Sequence, residues 1–129
     1  IANDLKYAVK GGRVPAWVKK TADFLRINPV LTASKEGSVG VGGLHFGRGA
    51  DPVQLARTVT GKMKGETMYR VLISHANNEQ GARRLRHEIL GRHARIHSCH
   101  ITDAGPALGA HFGPGGLIAG FTPNPDELK

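Results

Sequence analysis

Cysteine is nearly absent: Cys99 is the only one in 129 residues. A lone cysteine forms no internal disulfide, and such usage suits a reducing cytoplasm. Aromatic residues are scarce too, at 5%, so the core must be built mainly from Val, Leu, Ile and Ala. No apolar run approaches the roughly 18 residues that a membrane span needs. No charged-then-apolar leader opens the chain. Its first residue is Ile rather than Met, as expected of a piece of a longer protein. Acidic residues are few: 10 Asp and Glu against 18 Lys and Arg leave a formal net charge of +8. That balance favours an anionic partner, such as nucleic acid, a carboxylate or phosphate ligand, or an acidic protein. A merely solvated basic surface satisfies it equally.

Glycine is what the chain has in quantity, with 18 residues, beside 7 prolines. Together they imply many tight connections in a chain the size of one domain, residues 1–129. Residues 3–10 read as a helix capped by Asn3 and stopped by Gly11-Gly12, which leaves Arg13 on a glycine corner. Pro15 opens a second helix on which Trp17, Thr21, Phe24 and Leu25 fall along one side, the pattern of a core stripe. Residues 27–33 and 38–46 read as a hairpin, with Pro29 at an edge or strand start. Gly40, Gly42 and Gly43 leave room beside the second strand for a ligand, or else mark a bulge.

Asp51-Pro52 is a strong helix start, and Leu55, Ala56, Val59 and Met63 form its buried stripe before Gly65. Residues 68–76 are the clearest strand. A long helix over 77–90 follows, with Ala82, Leu85 and Ile89 inward, Arg83, Arg84 and His87 outward, and Glu88 placed to pair with Arg92. Gly91 closes it. Residues 94–102 and a last stretch through Phe121 read as strands. The order implies a two-layer α/β domain: a mixed or antiparallel sheet of about five or six strands with helices on one face.

Several constellations invite a chemical reading. Arg83, Arg84, Arg86, Arg92 and Arg95 could meet phosphates, making a basic nucleic-acid-binding module the alternative function. No stacking aromatics are interleaved, so a solvated helix face is favoured over it. His93, His97, Cys99 and His100 resemble a ligand set, but residues 97 and 99 of a strand share a face and 100 points away. No metal site and no cofactor are expected. Cys99 lies in an apolar strand, and Ser74-His75 point apart, so no catalytic nucleophile stands out.

Two glycine corners remain: Lys10-Gly11-Gly12-Arg13, and Gly109-Ala110-His111-Phe112-Gly113-Pro114-Gly115-Gly116. Each carries a cationic or hydrogen-bonding group on a stiff loop, and together they can bind one anion. The plainer reading of the second is a tight turn into a strand.

These stretches resemble the carboxy-terminal domain of the DegV family of bacterial fatty-acid-binding proteins. Leu5 to Val14 looks like that family's YL-x-K-G-G-R-I segment, and Leu25 to Leu31 is similar to its L-x-I-K-P-I-L segment. Arg48 loosely matches a family arginine, and Gly109 to Gly115 is similar to its G-T-H-x-G-P-G motif. Ala110 and Asn28 stand where the family usually has threonine and lysine. The resemblance implies a lipid carrier, not an enzyme. It implies a long-chain fatty acid held between this domain and an amino-terminal domain absent here, with the acid presented to a fatty acid kinase. The carried-over ligand-binding residues are His111, Arg13, Gly113 and Gly115. The strands over 38–46 and 117–121 are expected to line part of the slot.

Overall fold

The structure is a computed structural model that describes residues 5–12, 14–25, 27–34, 36–47 and 49–127. Helices α1 (Leu5–Lys10) and α2 (Ala16–Leu25) lead into strands β1 (Ile27–Ala33) and β2 (Val39–Phe46). Helix α3 (Pro52–Thr60), strand β3 (Tyr69–His75), helix α4 (Glu79–Arg92) and strand β4 (Ile96–Asp103) follow. Helix α5 (Gly105–Phe112), strand β5 (Leu117–Pro123) and a single 3-10 turn (Pro125–Glu127) complete the order.

The architecture is mixed α/β, as the element order predicts, and among the described residues five strands fall into two sheets. β1 and β2 form an antiparallel pair; β4, β3 and β5 form a mixed sheet with β3 in the middle. β3 runs parallel to β4 and antiparallel to β5. The parallel pairing needs a crossover, and α4 supplies it. Pairing Val71 with Cys99 and Phe121 puts alternate residues on one face, where Val71, Ile73, Cys99 and Leu117 are buried. α3 and α4 cover that face with Leu55, Ala56, Val59, Ala82, Leu85 and Ile89, the residues the helical spacing picks out. The opposite face carries Arg70 and Leu72, both exposed.

Local signals explain most boundaries. Asp51 accepts from the Val53 amide and Pro52 begins α3, the arrangement read from sequence. Asn78 accepts from Gly81 N to cap α4, and Glu88 pairs with both Arg84 and Arg92. Two glycines do less than expected. α3 ends at Gly61 rather than Gly65, and α4 runs through Gly91 to a cap at His93. A glycine weakens a helix without forcing its end when neighbouring turns are packed.

The larger difference is α2. Trp17 is 68% exposed and Phe24 85%, so the expected core stripe faces outward. Periodicity shows that one helix face is apolar; what covers it depends on tertiary partners. Among the described residues α2 packs mainly on β1 and α1, which leave that side uncovered. The Asn3 cap, Arg13 and Arg48 lie outside the described residues.

Candidate functional site

The two glycine corners meet. Helix α1 packs on α5 through a reciprocal exchange in which a ring from each helix lies on a glycine of the other. A Cβ at Gly11 would stand 2.7 Å from His111 Cε1 and nearer still to Nδ1. A Cβ at Gly113 would stand 2.7 Å from Tyr7 Cε2. Carbon atoms do not approach so closely, so both contacts require glycine. Gly113 also has φ 70° and ψ 169°, a backbone region essentially reserved for glycine. His111 itself sits in the last turn of α5 rather than in a loop, because Pro106 starts a helix that runs through it to Gly113.

The loop beyond is fastened to the end of β3. Gly115 N donates to Ala76 O at 2.7 Å, and Ala76 N donates to Gly116 O at 3.0 Å. Asn78 Nδ2 donates to Gly115 O at 2.9 Å, so one asparagine caps α4 and pins the glycine loop. The adjacent Asn77 has φ 48°, which lets the chain turn sharply between β3 and α4. Tyr7 and Asn78 are the structural residues that sequence reading missed. The Asn77-Asn78 pair after a strand is a turn signal, but nothing in it names Gly115 as a partner.

His111 is half-buried, and its Nδ1 is buried with no hydrogen-bond partner in the chain. A neutral imidazole has one N–H and one bare nitrogen. Nδ1 faces Gly11 with no acceptor, so the proton is assigned to Nε2, which becomes the donor available to an anionic oxygen. Gly12, at φ 70°, turns the chain here, and Arg13 follows it in sequence.

The other histidines have structural partners or face outward. His93 Nε2 lies 3.2 Å from Lys64 O while Nδ1 accepts from Arg95 N, and Tyr69 packs edge-on against its ring. His75 Nδ1 accepts from Asn78 N at 3.2 Å. His45 is buried against Thr58, 3.1 Å from its hydroxyl, and burial holds its pKa below the usual histidine value. Among the described residues no group of three His, Cys, Asp or Glu side chains is placed to hold a metal ion. Cys99 is buried, and burial raises its thiol pKa, consistent with an inert thiol.

The expected slot divides. β2 and β5 belong to different sheets, and the room at Gly42 and Gly43 is taken by Thr32, Lys62 and Thr58. A bulge between Val30 and Leu31 shifts the register of β2 and leaves Val41, Leu44 and Phe46 all exposed. With Trp17, Phe24 and Leu25 they make an unusually apolar surface for a chain that is otherwise strongly charged. Among the described residues no helix is long and apolar enough to cross a membrane.

An α/β chain with helices on one face of a mixed sheet and this glycine loop matches a known class of solved structures. A fatty-acid-binding DegV family protein from Streptococcus agalactiae is 27% identical, with a TM-score of 0.72, covering 95% of this chain and 43% of that one. A Thermotoga maritima protein described as revealing fatty acid binding function is 23% identical, with a TM-score of 0.73, covering 95% and 41%. A DegV family protein from Eubacterium eligens loaded with heptadecanoic acid is 23% identical, with a TM-score of 0.70, covering 95% and 43%. The chain thus spans less than half the length of these neighbours. No curated protein matches it. The family model described as "Uncharacterised protein, DegV family" matches residues 1–123. The chain belongs to the DegV family.

Proposed function

We propose that this chain is the carboxy-terminal domain of a two-domain, cytoplasmic fatty-acid-binding protein. It grips the acyl head group through His111 and Arg13 and presents it to a fatty acid kinase. The observation that carries the reading is the seating of His111 on Gly11, which joins the two motifs at one corner. Burying a carboxylate demands a donor or a counter-charge; this corner offers an imidazole N–H, and Arg13 is the next residue in sequence after its double glycine. Gly113 and Gly115 hold the loop that ends at that imidazole: one supplies the backbone conformation, the other the bonds to Ala76 and Asn78. The exposed apolar side chains of α2 and β2 suit an acyl tail or the domain that closes over it. The fatty acids bound by the neighbouring structures support the same ligand class.

The nucleic-acid alternative loses ground on a specific observation. Arg83, Arg84 and Arg92 are each paired with a glutamate of their own helix, Glu79 or Glu88, so part of that basic face is already offset. The test is mass spectrometry of lipid extracted from the full-length protein, together with the His111→Ala variant. The expected result is a co-purified acyl chain and affinity weakened by about 1–3 kcal/mol, the cost of an unmatched buried polar group. Empty protein that binds RNA tightly in a salt-sensitive way would overturn the reading.

A further inference from the structure

Two of the bonds that fasten the glycine loop to the end of β3 run between backbones, so many residues could make them: Gly115 N to Ala76 O and Ala76 N to Gly116 O. A third, from Asn78 Nδ2 to Gly115 O at 2.9 Å, comes from a side chain. Ser, Thr and Asp also cap helices, but none of them combines an accepting oxygen with a separate N–H donor. Asn78 uses both. Its Oδ1 accepts from Gly81 N at 3.0 Å while its Nδ2 reaches the loop, and its backbone amide donates to His75 Nδ1 at 3.2 Å.

Gly81 shows what this pose needs. A Cβ there would stand 2.5 Å from Asn78 Nδ2 and 2.6 Å from Oδ1, so the carboxamide lies across a position that only glycine leaves open. Gly81 falls three residues past the cap, in the first turn of α4, where glycine is a poor helix former. An ordinary capping box places Glu or Gln at that position, with its Cβ clear of the cap. Capping alone therefore does not ask for Gly81; a carboxamide held where it can also reach Gly115 does.

The loop so held carries His111. Gly113 N donates to Gly109 O at 2.8 Å and Gly116 N to Gly113 O at 3.1 Å, which makes the last turn of α5 and the loop one bonded unit. Asn78 grips that unit from α4, while the His111 ring meets Gly11 across the contact with α1. We propose that Asn78 is a positioning residue for the head-group corner. Through Gly115 it fixes where the His111 N–H stands, and so sets the preference for an ionised carboxyl head over an uncharged one. This rests on the reading of His111 as head-group donor and extends it to a residue outside both glycine corners. A hydrogen bond to a carboxylate is about twice as strong as one between neutral groups, so a misplaced donor costs an acid more than its ester.

The test uses the full-length protein with hexadecanoic acid and its methyl ester as probes, read by displacement of a fluorescent fatty acid. Asn78→Asp and Asn78→Ser keep an oxygen for Gly81 N and remove the amide donor to Gly115 O; the serine does so without adding charge. Gly81→Ala keeps Asn78 but pushes its carboxamide aside. Each is expected to weaken acid binding by about 3- to 10-fold, the scale of one displaced hydrogen bond, with ester binding nearly unchanged. Each should also shift the His111 imidazole resonances. Gly81→Ala raises helix propensity, so its loss of affinity does not come from a weakened α4. Gln80→Ala, an exposed change in the same turn, should alter neither readout. Acid and ester weakened alike, an unaltered acid-to-ester ratio, or unshifted His111 resonances would overturn the proposal. A wild-type protein without preference for the acid, or a His111→Ala variant that keeps that preference, would overturn the reading of His111 itself and the proposal with it.

Discussion

Gly11→Ala isolates the contact on which the head-group corner depends. The Gly11 φ is not in the left-handed region, so alanine fits the backbone there. The obstacle is the His111 ring: the new methyl would lie 2.7 Å from Cε1, against an ordinary carbon contact of about 3.5–4.0 Å. The imidazole must therefore retreat by about 1 Å, enough to spoil a hydrogen bond whose useful range spans about half an ångström. In the full-length protein the expected loss of fatty-acid affinity is about 1.5–3 kcal/mol, the value of a hydrogen bond to a charged group. That is about 10- to 150-fold in Kd. Among the described residues none of α1 belongs to the buried core cluster, so the fold should survive. Gly12→Ala is the control. Its φ is 70° and a methyl there meets nothing within 4 Å, so it costs about 1 kcal/mol of stability and spares the ring. The assays are displacement of a bound fluorescent fatty acid and the imidazole resonances of His111. Wild-type affinity and unshifted His111 resonances in Gly11→Ala would refute the reasoning. Equal damage from Gly12→Ala would show that turn conformation, not ring contact, governs the site.

Gly113→Ala combines a positive φ with a clash against Tyr7, so it should cost about 1–3 kcal/mol in chemical denaturation and loosen α1 from α5. Leu85→Ala empties a fully buried position of α4 and should cost about 2–5 kcal/mol, read as a lowered denaturation midpoint with an unchanged slope. His45 is held neutral by burial, so its folded pKa lies below its unfolded one. The unfolded chain then binds a proton that the folded chain refuses. Its contribution to stability is complete above about pH 6.5 and falls as pH drops from there through the folded pKa. His45→Gln should flatten that part of the stability-versus-pH curve, measured by urea unfolding from pH 8 to pH 5. Cys99 should react slowly with a thiol reagent in the native chain and rapidly after unfolding, because burial keeps it protonated and covered.

Much of this protein is legible in its residue order because the relevant physics is local. Asp51-Pro52 starts a helix by satisfying its own first amides, and no distant residue is needed. The apolar spacing of Leu55, Ala56 and Val59, and of Ala82, Leu85 and Ile89, sets which helix face is buried against β3. The double glycine before Arg13 and the glycines around His111 mark two stiff corners, and their order along the chain carries the family resemblance.

Local physics ends where partners are far apart in sequence. The stripe of Trp17 and Phe24 is apolar at helical spacing whether or not anything covers it, and the tertiary structure leaves it open. The hairpin glycines promise a slot, but Thr32, Lys62 and Thr58 fill two of the gaps. His111 reads as a loop residue because glycine and proline disrupt helices on average; here Pro106 sits in the first turn and Gly113 at the end, where each is tolerated. That Tyr7 lies on Gly113 while His111 lies on Gly11 is a contact between residues about a hundred positions apart. Sequence by itself determined the elements, the buried faces of α3 and α4 and the two corners; only tertiary packing decided that the corners touch, because steric fit between distant surfaces leaves no trace in local order.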